Sequence, residues 1–429
     1  MSPIGALKQT FASARASRNF RLFLMGQFVS AIGTWMTFTA TGWLVWQLTR
    51  SGSALGINAA LQFGPMLVIG AWGGVLADRF DKRKILITTQ SLFAVVSVGL
   101  VVLVATDVIT LWMVYALSVV YGCITAIDNP SRQSFYVEMV GEGSLTNAVS
   151  LNSAAFTGAR VIGPAIAGLV IAGAGMAWCF GLDAVSYLFV LGALILMRPA
   201  EFHRQPRSTR QKGHMVAGLK YVWRTDELRR PLIVLAIMFT FVFEWQVLMP
   251  LLAEVSFNAG PREFGLLSAA AGIGSLVGAV TSAHGNKHPG MRRLGVFSLL
   301  VGGSMVLVAM APTLGIAYLT MMPLGYAAMV FMINGNTMLQ LNAVPQARGR
   351  VMALYGIVFL GSTPIGAPIA GWLGQVLGPR VEFALMGALA AAIGVVVLVM
   401  RKRRTNEPVE VPEAEEQEPA PGAAAIPAR

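Results

Sequence analysis

Gly73-Gly74-Val75-Leu76-Ala77-Asp78-Arg79-Phe80-Asp81-Lys82-Arg83-Lys84 joins a long apolar run to six charges within the seven residues 78–84. Glycines end one apolar segment and charge begins abruptly, which fits a tight turn between two membrane-crossing helices. A charge at the bilayer centre costs about 2.5–3.5 kcal/mol on insertion scales, so such a cluster sits outside hydrocarbon. Apolar runs of about 20 residues, enough to span a bilayer, lie on both sides of this turn and recur along the chain. Twelve spans are expected, at 22–47, 55–77, 85–105, 109–128, 147–173, 176–197, 231–254, 264–283, 294–311, 314–334, 350–376 and 381–400. With 55% apolar and 12% charged residues, the 429-residue chain is not a string of soluble domains. The first run is full length and lacks a small-residue cleavage pattern, so it is expected to stay as the first helix.

The net charge of +12 invites a nucleic-acid reading, but its distribution excludes one. With both termini inside, 28 of the 32 Lys and Arg fall in the tails and loops of that side. Arg50, Arg262 and Arg380 face the other side, and Arg160 lies within a span. This is the positive-inside pattern; it requires an even number of spans, and it places the protein across a membrane with both termini cytoplasmic. Attraction to anionic lipids is the further consequence of the basic surface. Cys123 and Cys179 lie inside spans, so neither a disulfide framework nor a metal site is expected.

The chain divides into a cytoplasmic segment 1–21, a six-helix bundle 22–197, a central cytoplasmic loop 198–230 with nine Lys or Arg, a second six-helix bundle 231–400 and a disordered tail 401–429. In the central loop, 216–224 has the pattern of an amphipathic surface helix. The Pro-, Glu- and Ala-rich tail cannot bury a core. The two halves also repeat. Gly158-Ala-Arg-Val-Ile-Gly163-Pro-Ala-Ile-Ala-Gly168 aligns, at an offset of 203, with Gly361-Ser-Thr-Pro-Ile-Gly366-Ala-Pro-Ile-Ala-Gly371, and six of eleven positions are identical. A repeat of about 200 residues across a long loop is the signature of duplicated transporter halves.

The opening stretch resembles the G-x-L-x-D-R-x-x-R/K-R/K loop between the second and third helices of major facilitator transporters. Gly74, Leu76, Asp78, Arg79, Lys82 and Arg83 carry the match, and Asp81 stands where glycine is usual. Gly158, Gly163, Pro164 and Gly168 partly match the G-x-x-x-G-P-x-x-G-G motif of that family's exporters, with Ala159 and Ala167 replacing two glycines. The run from Asn129-Pro130-Ser-Arg132-Gln133 to Gly163-Pro164 resembles the enterobactin-exporter-like branch, also called transmembrane secretion effectors. The resemblance implies an all-α membrane protein of twelve transmembrane helices in two pseudo-symmetric six-helix bundles, in a bacterial inner membrane. It also implies that Gly74, Asp78, Arg79 and Arg83 form a gate, with Asp78 facing the start of helix 11 near Arg350. For the helix-5 glycines, close helix packing alone is the competing reading.

Charges buried in a bilayer are functional candidates. At ~1.5 Å per residue, Arg160, Asp183 and Glu244 lie at similar depth in helices 5, 6 and 7. An Arg160–Asp183 ion pair is the simplest structural expectation and leaves Glu244 without a partner. Burial disfavours the charged form of an ionisable group, so all three are proton-coupling candidates and Glu244, a carboxylate without a partner, leads them; an Arg160–Glu244 pair or a wet vestibule at Glu244 stays open. Gln27, Trp35, Phe239, Phe243, Asn334 and Asn336 are candidates for a cavity suited to an amphipathic or aromatic cargo, each competing with a packing role. Asp128, Asn129, Arg132 and Glu138 are expected to form ion pairs near the inner helix ends.

No Walker loop, paired-histidine spacing or Gly-x-Ser-x-Gly elbow is present, so the protein is not read as an enzyme and needs no cofactor. The reading is a proton-coupled exporter of a small amphipathic compound, a siderophore or a drug-like molecule, acting as a monomer. Import or facilitated movement of metabolites on the same fold, lipid flipping, and a membrane scaffold or sensor that moves nothing stay as alternatives.

Overall fold

The computed structural model of the protein describes residues 12–203, 214–285, 289–344 and 347–399. Residues 1–11 of the expected N-terminal segment, 204–213 of the central loop and the expected tail 401–429 lie outside the described residues. Among the described residues every regular element is helical. The spans are α1 (Arg18–Thr49), α2 (Gly52–Arg79), α3 (Lys82–Ala105), α4 (Leu111–Val140), α5 (Leu145–Gly173), α6 (Met176–Leu196) and α7, which begins as Asp226–Phe241. They continue as α8 (Pro261–Gly285), α9 (Met291–Ala309), α10 (Leu314–Asn342), α11 in two segments (Arg348–Gly361 and Thr363–Leu377) and α12 (Pro379–Val399). Eleven described helices are long and apolar enough to cross a membrane, and α7, bent by 41°, makes a twelfth.

Local chemistry sets the ends. Ser17, Ser51, Asp81 and Thr313 cap α1, α2, α3 and α10, each side-chain oxygen accepting from a backbone N–H three residues on. Asp81, which departs from the glycine of the resembling motif, thus has a structural task at the start of α3. The turns before α6 and α12 hinge on Gly175 (φ 97°) and Gly378 (φ 86°), in the region that favours glycine. These two positions are 203 apart, so the repeat extends through the turn.

The short helix His214–Arg224 falls where the amphipathic pattern predicts it and packs against the first segment of α11. Two expectations need correction. The loop expected after residue 128 is helix: α4 runs through Pro130 to Val140, and α10 likewise runs on to Asn342. The span expected to be continuous over 231–254 is broken, with a 3-10 turn at Phe243–Gln246 and a π-helical turn at Leu252–Ser256. Pro250 has no N–H for the carbonyl of Gln246, and the helix opens there.

Within the first half α2 packs on α4, α1 on α5 and α6, and α3 on α6; within the second α8 packs on α10 and α9 on α12. Two seams join the halves, α5 against α8 and α2 against α11. Both depend on absent side chains. A methyl on Gly371 would lie 2.2 Å from the carbonyl oxygen of Gly52, and one on Gly168 would lie 2.9 Å from that of Pro261. Small residues let helices approach to backbone contact in lipid, where no hydrophobic force pulls helices together.

Gly371→Val is therefore expected to lower the unfolding temperature in detergent and the folded yield, by overpacking worth about 1–3 kcal/mol. Gly303→Ala in α9, where an added methyl meets no atom within 4 Å, should be neutral or slightly stabilising. Equal stability of the two variants would show that the seam tolerates a side chain.

Candidate functional site

A cavity lies between the halves, bounded by α1, α2, α5, α7 and α8. Trp35, Phe38, Trp245 and Phe264 give it aromatic walls, while Asn58, Gln62, Gln246 and Ser268 supply polar groups. Arg160 is its one charged lining residue among the described residues. The guanidinium carbon stands 5.2 Å from the centroid of the Trp35 ring, in cation–π range. Trp35 meets Phe38 and Phe156 edge-on at 5.6 and 5.7 Å.

At the end of the bundle with few cations, the halves close over this cavity. Glu254 forms an ion pair with Arg50 and accepts from Trp46 Nε1 at 2.5 Å. Trp43 stacks on Phe264 with ring centroids 5.6 Å apart. Ser51 Oγ donates to Gln375 Oε1 at 2.7 Å. Sequence reasoning missed Glu254 and Trp46. The available signal was that Arg50 and Glu254 are opposite charges at neighbouring span ends on the sparsely charged side.

The Arg160–Asp183 pair is not formed. Asp183 is fully buried inside the first half, where Thr37 Oγ1 and Ser97 Oγ each donate to Oδ2 at 2.8 Å, and Ser186 Oγ lies 3.4 Å from Oδ1. Hydroxyl donors satisfy it there. Arg160 faces the inter-half cavity instead. Glu244 is buried on the 3-10 turn of α7, in contact distance of Gly366 and with Thr363 as its hydrogen-bonding neighbour. Neither Arg160 nor Glu244 has an ion-pair partner among the described residues. Glu382, at the start of α12, is a further buried carboxylate that sequence reasoning overlooked.

Of the cavity candidates, Trp35 lines the space, as do Arg160 and Pro164. Phe239 and Phe243 belong to an aromatic cluster with Phe331, Tyr355 and Phe359 in the second half. Asn334 is fully buried and donates to Gly290 O, Asn336 accepts from Gln340, and Gln27 is buried in α1. The helix-5 glycines are packing positions. Gly163 lies against Ile32 and Trp35 of α1, Gly168 against α8, and Gly158 is in contact distance of Phe28. Their counterparts behave alike, Gly366 against Thr240 and Glu244 of α7 and Gly371 against α2.

Around the opening stretch, Arg83 donates to Leu194 O at 2.7 Å and Ile195 O at 3.1 Å, closing the last turn of α6. Arg83, expected in the gate, thus caps a helix within its own half. Lys82 pairs with Glu138 at 2.5 Å, and Arg132 with Asp128, again within the first half. Gly74 is half-buried and Arg79 is exposed; the side chain of Asp78 lies outside the described residues.

The sequence profile of the transmembrane secretion effector family matches residues 9–424. The chain belongs to that family. The chain is 23% identical over 386 residues to the staphyloferrin A transporter of Staphylococcus aureus, covering 89% of this chain and 96% of that one. It is 27% identical over 390 residues to the enterobactin exporter EntS of Shigella boydii, covering 89% and 91%. Among solved structures, the nucleoside transporter NupG aligns at a TM-score of 0.69 with 12% identity, over 90% of this chain and all of that one. A bacterial homologue of the human lysosomal transporter Spinster, inward-facing and unoccupied, aligns at 0.64 with 15% identity, over 89% and 94%. The protein is therefore a multi-pass membrane transporter with the major facilitator fold, and not an enzyme.

If Arg160 and Asp183 act apart, a double-mutant cycle with Arg160→Gln and Asp183→Asn, read by thermal unfolding, should be additive within about 0.5 kcal/mol. A coupling of about 1 kcal/mol or more would restore the ion pair.

Proposed function

We propose that this transporter exports a small amphipathic compound, a siderophore in the first instance, across a bacterial inner membrane by alternating access. The observation that carries the reading is the amphipathic cavity between the halves of a chain related over nearly nine-tenths of its length to siderophore transporters. The basic end, with both termini, is cytoplasmic. The contacts of Arg50, Trp46 and Trp43 then close the outer side, and the cavity is loaded from the cytoplasm.

Protons supply the driving force by antiport. Glu244 is the carrier: it is buried without an ion-pair partner among the described residues, and it sits on the irregular turn of α7 beside both the cavity-lining Trp245 and α11. Protonation neutralises it in place, and release restores a charge that favours the wetter state of the site. Asp78 latches the cytoplasmic side when the outer side opens, meeting the start of α11, where unpaired backbone N–H groups favour an anion. Its partner loop in the second half, 282–293, has basic residues and no acid, so the latch is one-sided.

The deciding experiment is proton-linked efflux from proteoliposomes holding the full chain, with a siderophore and a panel of lipophilic drugs as cargo. Glu244→Gln is expected to abolish movement driven by a proton gradient; transport at the wild-type rate would remove Glu244 from the coupling. Asp78→Asn is expected to cut transport several-fold while leaving the unfolding temperature unchanged, and normal transport by that variant would end the latch.

A further inference from the structure

Arg160 is a cation built into the cavity without a protein counter-ion among the described residues. Placing a guanidinium within a membrane span is costly, and such a residue is normally paired. Here the candidate carboxylates are engaged elsewhere: Asp183 accepts hydroxyl donors inside the first half, and Glu244 faces Thr363 and Gly366 in the second. Helix packing does not call for the charge either. The repeat places Thr363 at the position equivalent to Arg160, and the α11–α7 crossing closes with that smaller residue.

Beside it, Trp35 lines the same wall of the cavity. The Trp35 ring also flanks the Arg160 guanidinium. A cation without a counter-ion among the described residues thus meets an aromatic ring at one wall of the space between the halves.

We infer that Arg160 and Trp35 form an anion-recognition subsite, at which the cargo presents a carboxylate attached to a flat apolar body. This rests on the export reading above and names its cargo class. An iron chelator with carboxylate donors fits, because carboxylates stay anionic near neutral pH when the metal is absent. A planar guanidinium binds a carboxylate through paired N–H donors, which a lysine ammonium does not reproduce. Lipophilic cations, in contrast, meet a repulsive wall. The cavity therefore selects by charge as well as by size.

The test uses the full chain in lipid nanodiscs and two probes that differ in charge, 2-naphthoate and its methyl ester, with binding read by calorimetry. Wild type should bind the acid at least about tenfold more tightly than the ester, the scale of one charge-assisted hydrogen bond. Arg160→Gln should remove that preference while keeping ester binding, and Arg160→Lys should keep only part of it. A wild type that binds the ester as well as the acid would overturn the subsite, and that comparison needs no variant to fold. Retention of the preference by Arg160→Gln would overturn it equally. Siderophore export is measured separately in proteoliposomes, so failure of the export reading and failure of the subsite give different results.

Discussion

Backbone contact between helices is the constraint on which the molecule depends. In lipid, apolar side chains gain little by meeting one another, so association relies on close packing. The two seams that join the halves meet this requirement with glycine on glycine, Gly52 against Gly371 and Gly168 against Gly265. The cavity occupies the space between the seams, and Pro164, one residue after the packed Gly163, forms part of its wall.

The same repeat carries geometry and chemistry differently. Gly163 and Gly366 hold the first helix of each half, α1 and α7, and Gly168 and Gly371 hold the opposite half. That geometry is symmetric. The side chains beside it are not: Arg160 with Trp35 on one side, Thr363 with Glu244 on the other. The break in α7 adds to the asymmetry, because α1 runs unbroken for 32 residues through the equivalent region. A duplicated scaffold thus presents a cationic aromatic wall on one side and a buried carboxylate on the other.

Spans, repeat and turn chemistry were legible because each is written locally, in apolar length, spacing and caps. The helical continuation of α4 past Pro130 was not, since polarity there marks the end of the membrane and not of the helix. Arg160 and Asp183 show a different limit. Their similar depth along helices 5 and 6 follows from counting residues, but the direction in which each side chain points does not. Helix packing turns Asp183 toward Thr37 and Ser97 and leaves Arg160 at the cavity, and nothing near either residue in the chain announces this. Arg50 and Glu254, 204 positions apart, meet only once the halves are assembled.

The closure at the sparsely charged end is suited to being broken. Arg50 is largely exposed, and an exposed ion pair of this kind contributes about 0–1 kcal/mol. The Trp43–Phe264 stack adds about 0.5–1.5 kcal/mol beyond the area it buries. With the Trp46 hydrogen bond the closure amounts to a few kcal/mol, the size of gap across which two conformations can both be populated. A closure built from a deeply buried ion pair would hold one state too firmly for the binding energy of a small molecule to shift. Placing Glu254 at the rim, shared by a cation and an indole, keeps the closed arrangement specific and leaves it reversible.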